Sequence, residues 1–299
     1  MPANPVVTYG RMIKFSHSIF AMPFALAATW LAFHSPARLG AVEGARPWWM
    51  TLGLIVVCMV TARSCAMGVN RIVDRHVDAR NPRTATREIP SGQMSLAAAQ
   101  GITLAAGLAF VGASFALNTA CGWLSPVALL VICGYSFGKR FTALVHLWLG
   151  VALGIAPVAA WLAVTGQFAL PPVILGVAVA TWVAGFDILY SLQDEDFDRG
   201  QGLHSIPVAL GQVGAMRVST ALHVGTVGLL AWLPLAVQRA SDGAQVLGWP
   251  YWLGWAVITG VLAWEHHLVK PGDLSRIDKA FFDLNGYIGM VFLAGVLLA

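Results

Sequence analysis

The chain has 299 residues, of which 58% are hydrophobic and only 11% are charged. A soluble domain carries about 25% charged residues, so the composition excludes an ordinary soluble protein and indicates one embedded in a lipid bilayer. The formal net charge of +4 does not indicate a nucleic-acid partner, because membrane topology explains where the basic residues fall.

The apolar residues come in runs close to the roughly 20 residues that a helix needs to cross a bilayer. We predict an all-α integral membrane protein, with residues 1–299 forming one membrane domain and no soluble domain. Gly122, Pro126 and Gly134 interrupt the short fourth span. The nine predicted transmembrane helices are 16–34, 48–67, 96–117, 120–137, 144–164, 173–190, 213–237, 249–267 and 281–298.

The basic residues are divided unevenly between the two sides of the predicted bundle. If the N-terminus is cytoplasmic, 15 of the 18 lysines and arginines lie on the cytoplasmic side and 3 on the other. The positive-inside rule therefore predicts a cytoplasmic N-terminus and an outside C-terminus. We expect a multi-pass protein of the cell inner membrane whose active site opens toward the cytoplasm.

Two rows of polar residues follow the second and the sixth predicted spans. Of the 14 acidic residues, eight lie within 70–88 and 187–198. On a helix, residues three, four, seven or eleven positions apart share one face, so each row is expected to form a stripe. The first row is Asn70, Asp74 and Asp78; the second is Asp187, Tyr190, Asp194 and Asp198.

The surroundings of the two rows are also similar. Spans one and two lead into the first row and spans five and six into the second, and each row is followed by a Gly/Pro-containing loop, 81–92 or 200–207. Internal repeats are common in membrane folds. We therefore predict two pseudo-repeated halves that share a cavity.

Carboxylates near a membrane are costly, and two ordered rows of them indicate a multivalent cation. Magnesium is typically held by one or two carboxylates plus substrate phosphates, while arginine and lysine bind phosphate oxygens. Magnesium ions carrying a diphosphate fit this pattern, with a basic clamp from Arg83, Arg87, Lys139 and Arg140. The alternative is that the acids only end helices and pair with Arg75, Arg80 and Arg199.

The paired motifs resemble those of the UbiA superfamily of intramembrane prenyltransferases. Members carry N-D-x-x-D-x-x-x-D after the second helix and D-x-x-Y-x-x-x-D-x-x-x-D after the sixth. The second motif is complete here, whereas the first has Arg71 where the family usually has Asp. The resemblance covers essentially the whole chain.

Within the superfamily, three stretches are similar to the 4-hydroxybenzoate polyprenyltransferase type: Asn81–Gly92, Gly202–Pro207 and Lys14–His17. These stretches and Arg71 also resemble the branch of menaquinone synthesis by the futalosine route, where the acceptor would be a related bicyclic aromatic acid. The sequence does not separate the two acceptors.

The resemblance implies Mg²⁺-dependent transfer of a polyprenyl group from prenyl diphosphate to an aromatic acid in ubiquinone or menaquinone biosynthesis. It implies metal ligands at Asp74, Asp78, Asp194 and Asp198, and diphosphate contacts at Asn70, Arg83, Arg87, Lys139 and Arg140. Asp187 and Tyr190 would act near the allylic cation or the acceptor hydroxyl, or Asp187 would be a third carboxylate on the metal side. Contacts to the acceptor or its cavity are expected from His146, Asn285, Asp278 and Lys279.

Other readings stay open. Another acceptor, a dihydroxynaphthoate or haem, is compatible with the superfamily. An ion-coupled transporter also has intramembrane acids and pseudo-symmetric halves, but its charges usually lie near the midplane on broken helices. A CDP-alcohol phosphotransferase would require a D-G-x-x-A-R core, which neither row contains.

Overall fold

The computed structural model describes residues 5–13, 20–39, 46–277 and 284–299. This part of the chain is helical and contains no strand, apart from one isolated bridge between Lys270 and Asp273. The helices are α1 (Pro5–Met12), α2 (Met22–Phe33), α3 (Pro36–Leu39), α4 (Trp48–Asp78), α5 (Leu96–Leu117), α6 (Thr119–Gly138), α7 (Val145–Thr165), α8 (Leu170–Ser191), α9 (Glu195–Gly200), α10 (Ile206–Ala240), α11 (Trp249–Leu268) and α12 (Asn285–Leu297).

Among the described residues, six segments are long and apolar enough to cross a membrane: α4, α5, α6, α7, the stretch Leu170–Gly200 and α10. Helices α2, α11 and α12 overlap the other three predicted spans. The all-helical membrane class is therefore confirmed, while nine spans and the sides of the termini stay predictions. Helix α4 extends to Asp78, eleven residues beyond the predicted end of span two.

The interruption expected in the fourth span does not end the helix. Helix α6 continues through Pro126, although proline has no N–H to give to the carbonyl four residues earlier. That carbonyl belongs to Gly122, and it accepts a hydrogen bond from Ser125 Oγ at 2.7 Å instead. A serine next to the proline thus replaces the lost backbone bond.

The chain divides into two compact units, and this division does not follow the predicted repeat. Unit 1 contains Met1–Ser18 and Trp49–Phe137; unit 2 contains Ile19–Trp48 and Gly138–Ala299. Helix α2, which corresponds to the first predicted span, therefore groups with the second acidic row rather than the first.

In unit 2, α7 and α8 approach closely because small residues line their contact. A Cβ on Gly150 would collide with the carbonyl oxygen of Ala180. A Cβ on Gly176 would lie 2.7 Å from the carbonyl oxygen of Gly154. Small residues of this kind let transmembrane helices pack backbone to backbone, and they fix α8, which begins the second acidic row.

In unit 1, the short helix α1 is anchored against α4 and α5. The hydroxyl of Tyr9 donates to the carbonyl oxygen of Ser64 at 2.8 Å and lies 3.0 Å from Thr103 Oγ1. A Cβ on Gly68 would collide with both hydroxyl groups, so glycine is needed where α1 crosses α4.

Candidate active site

The first row lies on a continuous helix, as predicted. Asn70 Nδ2 donates to Asp74 Oδ2 at 3.1 Å within α4, which is the contact that a spacing of four residues allows. Asp78 is the last residue of α4. The row therefore runs along one helix face and ends at the helix C-terminus.

Asp78 is buried beneath the loop that follows it. Its side chain is 8% exposed, and Oδ1 accepts from Arg87 Nη1 at 2.7 Å. Thr84 Oγ1 donates to the Asp78 carbonyl at 3.1 Å, and the backbone N–H of Arg83 donates to Asn81 Oδ1 at 3.0 Å. Asp78 Oδ2 is buried without a hydrogen-bond partner. An unpaired buried carboxylate oxygen is costly, so this atom marks a place for a ligand.

The second row is not carried by one uninterrupted helix, so that expectation is wrong. Helix α8 ends at Ser191, a 3₁₀ turn covers Leu192–Asp194, and α9 begins at Glu195. A 3₁₀ turn advances about 120° per residue and an α-helix about 100°. Three such residues rotate the later acids by about 60° relative to Asp187, so the row bends around the axis instead of forming a straight stripe.

Asp198, at the end of the second row, is also buried and paired. Its side chain is 4% exposed, and Oδ2 accepts from Lys139 Nζ at 2.8 Å. The carbonyl oxygen of Lys139 accepts from the backbone N–H of His204 at 2.7 Å, and the Asp198 carbonyl accepts from Leu203 N at 2.8 Å. These bonds hold the α6–α7 loop against the segment after α9.

Lys139 is cationic at neutral pH. Burial disfavours its ammonium group, but the carboxylate of Asp198, with Asp194 and Asp187 further away, outweighs that effect and raises the pKa of Lys139 above its ordinary value. The two other predicted basic ligands, Arg83 and Arg140, are exposed.

Asp187 meets His146. The ring Nδ1 of His146 donates to Asp187 Oδ2 at 2.7 Å, where the side chain of His146 is 1% exposed and that of Asp187 is 23% exposed. Tyr190 is half-buried one turn further along α8. The sequence predicted both His146 and Asp187 as site residues, but not that they bind each other.

Asn285 is fully buried, and its side chain hydrogen-bonds to residues of α8 and α11. Its Oδ1 accepts from Trp182 Nε1 at 2.7 Å, and its Nδ2 donates to Glu265 Oε1 at 3.0 Å. These bonds link α8, α11 and α12 within unit 2, and none of them is to an acidic row. Asp278 and Lys279, also predicted for the cavity, lie outside the described residues.

Arg63 is a further polar residue of α4 that the sequence reasoning did not name as a candidate. It lies seven residues before Asn70, so it occupies nearly the same face of α4, about 10 Å along the helix axis. Its Nε is buried without a hydrogen-bond partner. Two features of the sequence could have drawn attention to it. An arginine inside an apolar segment is a candidate functional residue, and this one lies at a helical spacing from the first row.

The residues fit magnesium, although the described part of the chain contains no ready cluster of three His, Cys, Asp or Glu side chains. Magnesium does not need one, because it usually keeps waters and takes one or two carboxylates plus phosphate oxygens. Each row supplies hard carboxylate oxygens, and Asp78 Oδ2 is buried with no protein partner.

Comparison with known proteins decides the family. A model of the UbiA prenyltransferase family matches residues 21–289. The chain belongs to the UbiA prenyltransferase family. It is therefore a prenyltransferase, and its apolar helices are those of a multi-pass membrane enzyme.

Individual UbiA relatives agree with this assignment. The chain is 32% identical over 275 residues to a 4-hydroxybenzoate octaprenyltransferase of Acidovorax ebreus, covering 91% of each protein. It is 29% identical over 288 residues to the enzyme of that name from Burkholderia cenocepacia, covering 96% of this chain and 93% of the relative.

Solved structures share the UbiA fold. An apo UbiA homolog from Aeropyrum pernix K1 superposes with a TM-score of 0.79 at 30% identity, covering 95% of this chain and 98% of the homolog. A UbiA homolog from Archaeoglobus fulgidus bound to DMAPP and Mg²⁺ has a TM-score of 0.66 at 16% identity, covering 98% of this chain and all of that one. At that identity, the second likeness shows the fold alone.

Proposed function

We propose that this UbiA enzyme transfers a polyprenyl group from prenyl diphosphate to an aromatic acid of the 4-hydroxybenzoate type, in a Mg²⁺-dependent reaction on the cytoplasmic side of the membrane. The observation that carries the proposal is the construction of the two rows. Each ends in a buried carboxylate paired with a basic side chain, Asp78 with Arg87 and Asp198 with Lys139. The names of the curated relatives support the acceptor class.

The carboxylates Asp74, Asp78, Asp194 and Asp198 would hold the magnesium, which when bound neutralises charge on the departing diphosphate. Arg87 and Lys139 already stand next to two of these acids at 2.7 and 2.8 Å, so they are placed to donate hydrogen bonds to phosphate oxygens as negative charge develops there. Asn70 orients Asp74 through its amide. Arg83 and Arg140, which are exposed, would approach the diphosphate from solvent.

Transfer breaks the bond between the allylic carbon and the diphosphate oxygen, forms a carbon–carbon bond to the aromatic ring, and releases the ring proton. The apolar helices keep water from an allylic cation, which would otherwise be hydrolysed. Asp187 and Tyr190 would lie beside the acceptor hydroxyl.

The acid group of the acceptor would be recognised by Arg63. Arg63 lies seven and eleven residues before Asn70 and Asp74 on α4, so it shares their helix face, and its buried Nε lacks a hydrogen-bond partner. A planar carboxylate is the group that pairs best with a guanidinium. Dihydroxynaphthoates and haem also carry carboxylates, so Arg63 favours an acid over a neutral phenol without choosing among acids.

The test is transfer by the purified enzyme in lipid nanodiscs with Mg²⁺ and geranyl diphosphate. 4-Hydroxybenzoate, 4-hydroxybenzaldehyde, a dihydroxynaphthoate and haem are offered in parallel. We expect transfer to 4-hydroxybenzoate, and a loss of about 10- to 100-fold in kcat/KM for this acid in Arg63→Met, the cost of one charged hydrogen bond. Transfer to haem alone, or solute flux without diphosphate release, would overturn the proposal.

A further inference from the structure

A hydrogen bond of 2.7 Å between His146 and Asp187 links α7 and α8 near the second row. Both residues belong to unit 2. The imidazole is almost fully buried, while the carboxylate remains partly accessible. The pair therefore has an inner member that ligands cannot reach and an outer member that they can.

The register of the two helices brings them together. Gly150 faces Ala180 and Gly154 faces Gly176, so α7 and α8 run antiparallel. Each step of four residues forward along α7 corresponds to four residues backward along α8. At this register His146 lies level with Ala184, and Asp187 is three residues, about 4.5 Å, further along α8. A histidine side chain spans that offset, and the measured distance from Nδ1 to Oδ2 is 2.7 Å.

The hydrogen bonds around the ring fix its orientation. Asp187 Oδ2 is an acceptor, so Nδ1–H donates to it. On the opposite side, Ser191 Oγ lies 3.5 Å from Nε2 and gives its only proton to the carbonyl oxygen of Ile188 at 2.8 Å. A neutral imidazole protonated at Nδ1 carries no proton on Nε2, so this approach to Ser191 is a packing contact and not a donated hydrogen bond. Both nitrogens of His146 are directed at protein groups, which argues against direct contact with the acceptor.

We propose that His146 is a positioning residue, which holds the carboxylate of Asp187 through Nδ1–H so that its accessible side accepts a hydrogen bond from the hydroxyl of the aromatic acceptor. A carboxylate whose inner oxygen is held by Nδ1–H presents its outer oxygen in a fixed direction, and a hydrogen bond from the substrate hydroxyl to that oxygen makes the aromatic ring more electron-rich. This inference rests on the proposed function. It assigns His146 to the acceptor step and not to diphosphate binding.

The test compares three substitutions of His146. Asparagine puts an amide N–H where Nδ1 is, glutamine puts it further out toward Ser191, and leucine has no donor. Misplacement of a reacting group by about 1 Å can cost 10²-fold. We expect kcat for transfer to 4-hydroxybenzoate to fall about 10²-fold in His146→Leu and His146→Gln, and to recover at least tenfold in His146→Asn relative to the leucine variant.

Two further measurements separate positioning from a general structural effect. The KM for geranyl diphosphate and the slow release of diphosphate without acceptor should stay within twofold of wild type in all three variants. His34→Leu is the matched control, since His34 is exposed at the end of α2 and its side-chain interactions are with Trp30 of the same helix; the kcat of this variant should be unchanged.

The outcomes are distinguishable. Equal kcat in the asparagine and leucine variants, or a parallel loss of acceptor-independent diphosphate release, would overturn the role of His146 while leaving the proposed function intact. If His146→Leu does not fold, the comparison of the asparagine with the glutamine variant decides. Absence of transfer to any aromatic acid by the wild-type enzyme would overturn the proposed function, and this inference with it.

Discussion

The two acidic rows end alike but are supported differently. Asp78 is paired with Arg87, nine residues further along the chain, and the loop between them is closed by bonds such as that from Thr84 to the Asp78 carbonyl. Asp198 is paired with Lys139, which is 59 residues away on another loop. The first row is thus completed by local sequence, and the second by tertiary packing.

The carboxylates that end the rows also differ. Asp78 keeps one buried oxygen without a partner, while the second row is bent by the 3₁₀ turn at Leu192–Asp194. A similar motif can thus be built either on one continuous helix or on an interrupted one, provided that a cation balances the buried terminal acid. Substitutions can show how far the two constructions are equivalent.

The largest effect is expected from the acids in the middle of each row. Asp74→Ala and Asp194→Ala should each reduce prenyl transfer by about 10³-fold or more, because each removes a carboxylate proposed to hold the magnesium. Chelation of Mg²⁺ from wild type should have the same effect. The measurement is turnover of geranyl diphosphate in nanodiscs. Asp196→Ala is the control, as Asp196 is exposed in α9 and should retain activity.

If both row variants keep full turnover, the metal assignment is wrong. If only one does, the rows are not equivalent, and the metal depends on the row whose loss abolishes turnover.

The second expected effect concerns protein stability. It compares an ion pair between residues distant in sequence with one between neighbours on the same helix. Lys139→Met leaves the buried carboxylate of Asp198 without its cation, and it should destabilise the protein by about 2–3 kcal/mol, less than for a fully buried pair because Lys139 is partly exposed. Thermal unfolding in detergent measures this loss. Adding magnesium with a diphosphate should restore part of the lost stability, since the magnesium ion brings positive charge to the carboxylate of Asp198.

Arg199→Met is the matched control for that change. Arg199 pairs with Glu195 at 2.9 Å on the same helix, with 57% of its side chain exposed, and such pairs contribute about 0.3–0.5 kcal/mol. A similar melting temperature for the two variants would show that the Lys139–Asp198 pair stabilises the protein no more than an exposed ion pair does.

The helices and part of the candidate site could be predicted from the sequence. The apolar runs gave the helices, and a spacing of four residues put Asn70 and Asp74 in contact. The partners of the acids could not be predicted, because the Lys139–Asp198 and His146–Asp187 contacts depend on loop closure and helix register across 59 and 41 residues. The break at Leu192–Asp194 carries no glycine or proline to announce it.

A third effect tests whether the second row depends on the close packing of α7 on α8. Gly154→Ala places a methyl group against the carbonyl oxygen of Gly176 and should cost about 1–2 kcal/mol, with a loss of activity because α8 carries Asp187. Gly101→Ala in α5 meets nothing within 4 Å and should be neutral or slightly stabilising. Thermal unfolding and turnover of both variants decide, and equal behaviour would contradict the packing argument.

The smallest effect concerns Arg71, the position at which the first motif departs from the pattern that the family resemblance implies. Arg71 lies seven residues before Asp78 and so on nearly the same face of α4 as that acid, but it is buried and its Nε donates to the carbonyl oxygen of Met12 at the end of α1 at 3.4 Å. Arg71→Gln should therefore cost only about 1 kcal/mol and leave the Mg²⁺ concentration for half-maximal turnover within twofold of wild type.

Restoring the usual acid sharpens this point. Arg71→Asp would add a carboxylate next to the Met12 carbonyl, in a buried position without a donor, so it should destabilise the docking of α1 rather than strengthen metal binding. Limited proteolysis near α1 reports the docking, and a Mg²⁺ titration of turnover reports the metal. A lower Mg²⁺ requirement in Arg71→Asp would mean that position 71 does contribute to the row, and that the first row binds metal less strongly here because it keeps two carboxylates and one amide.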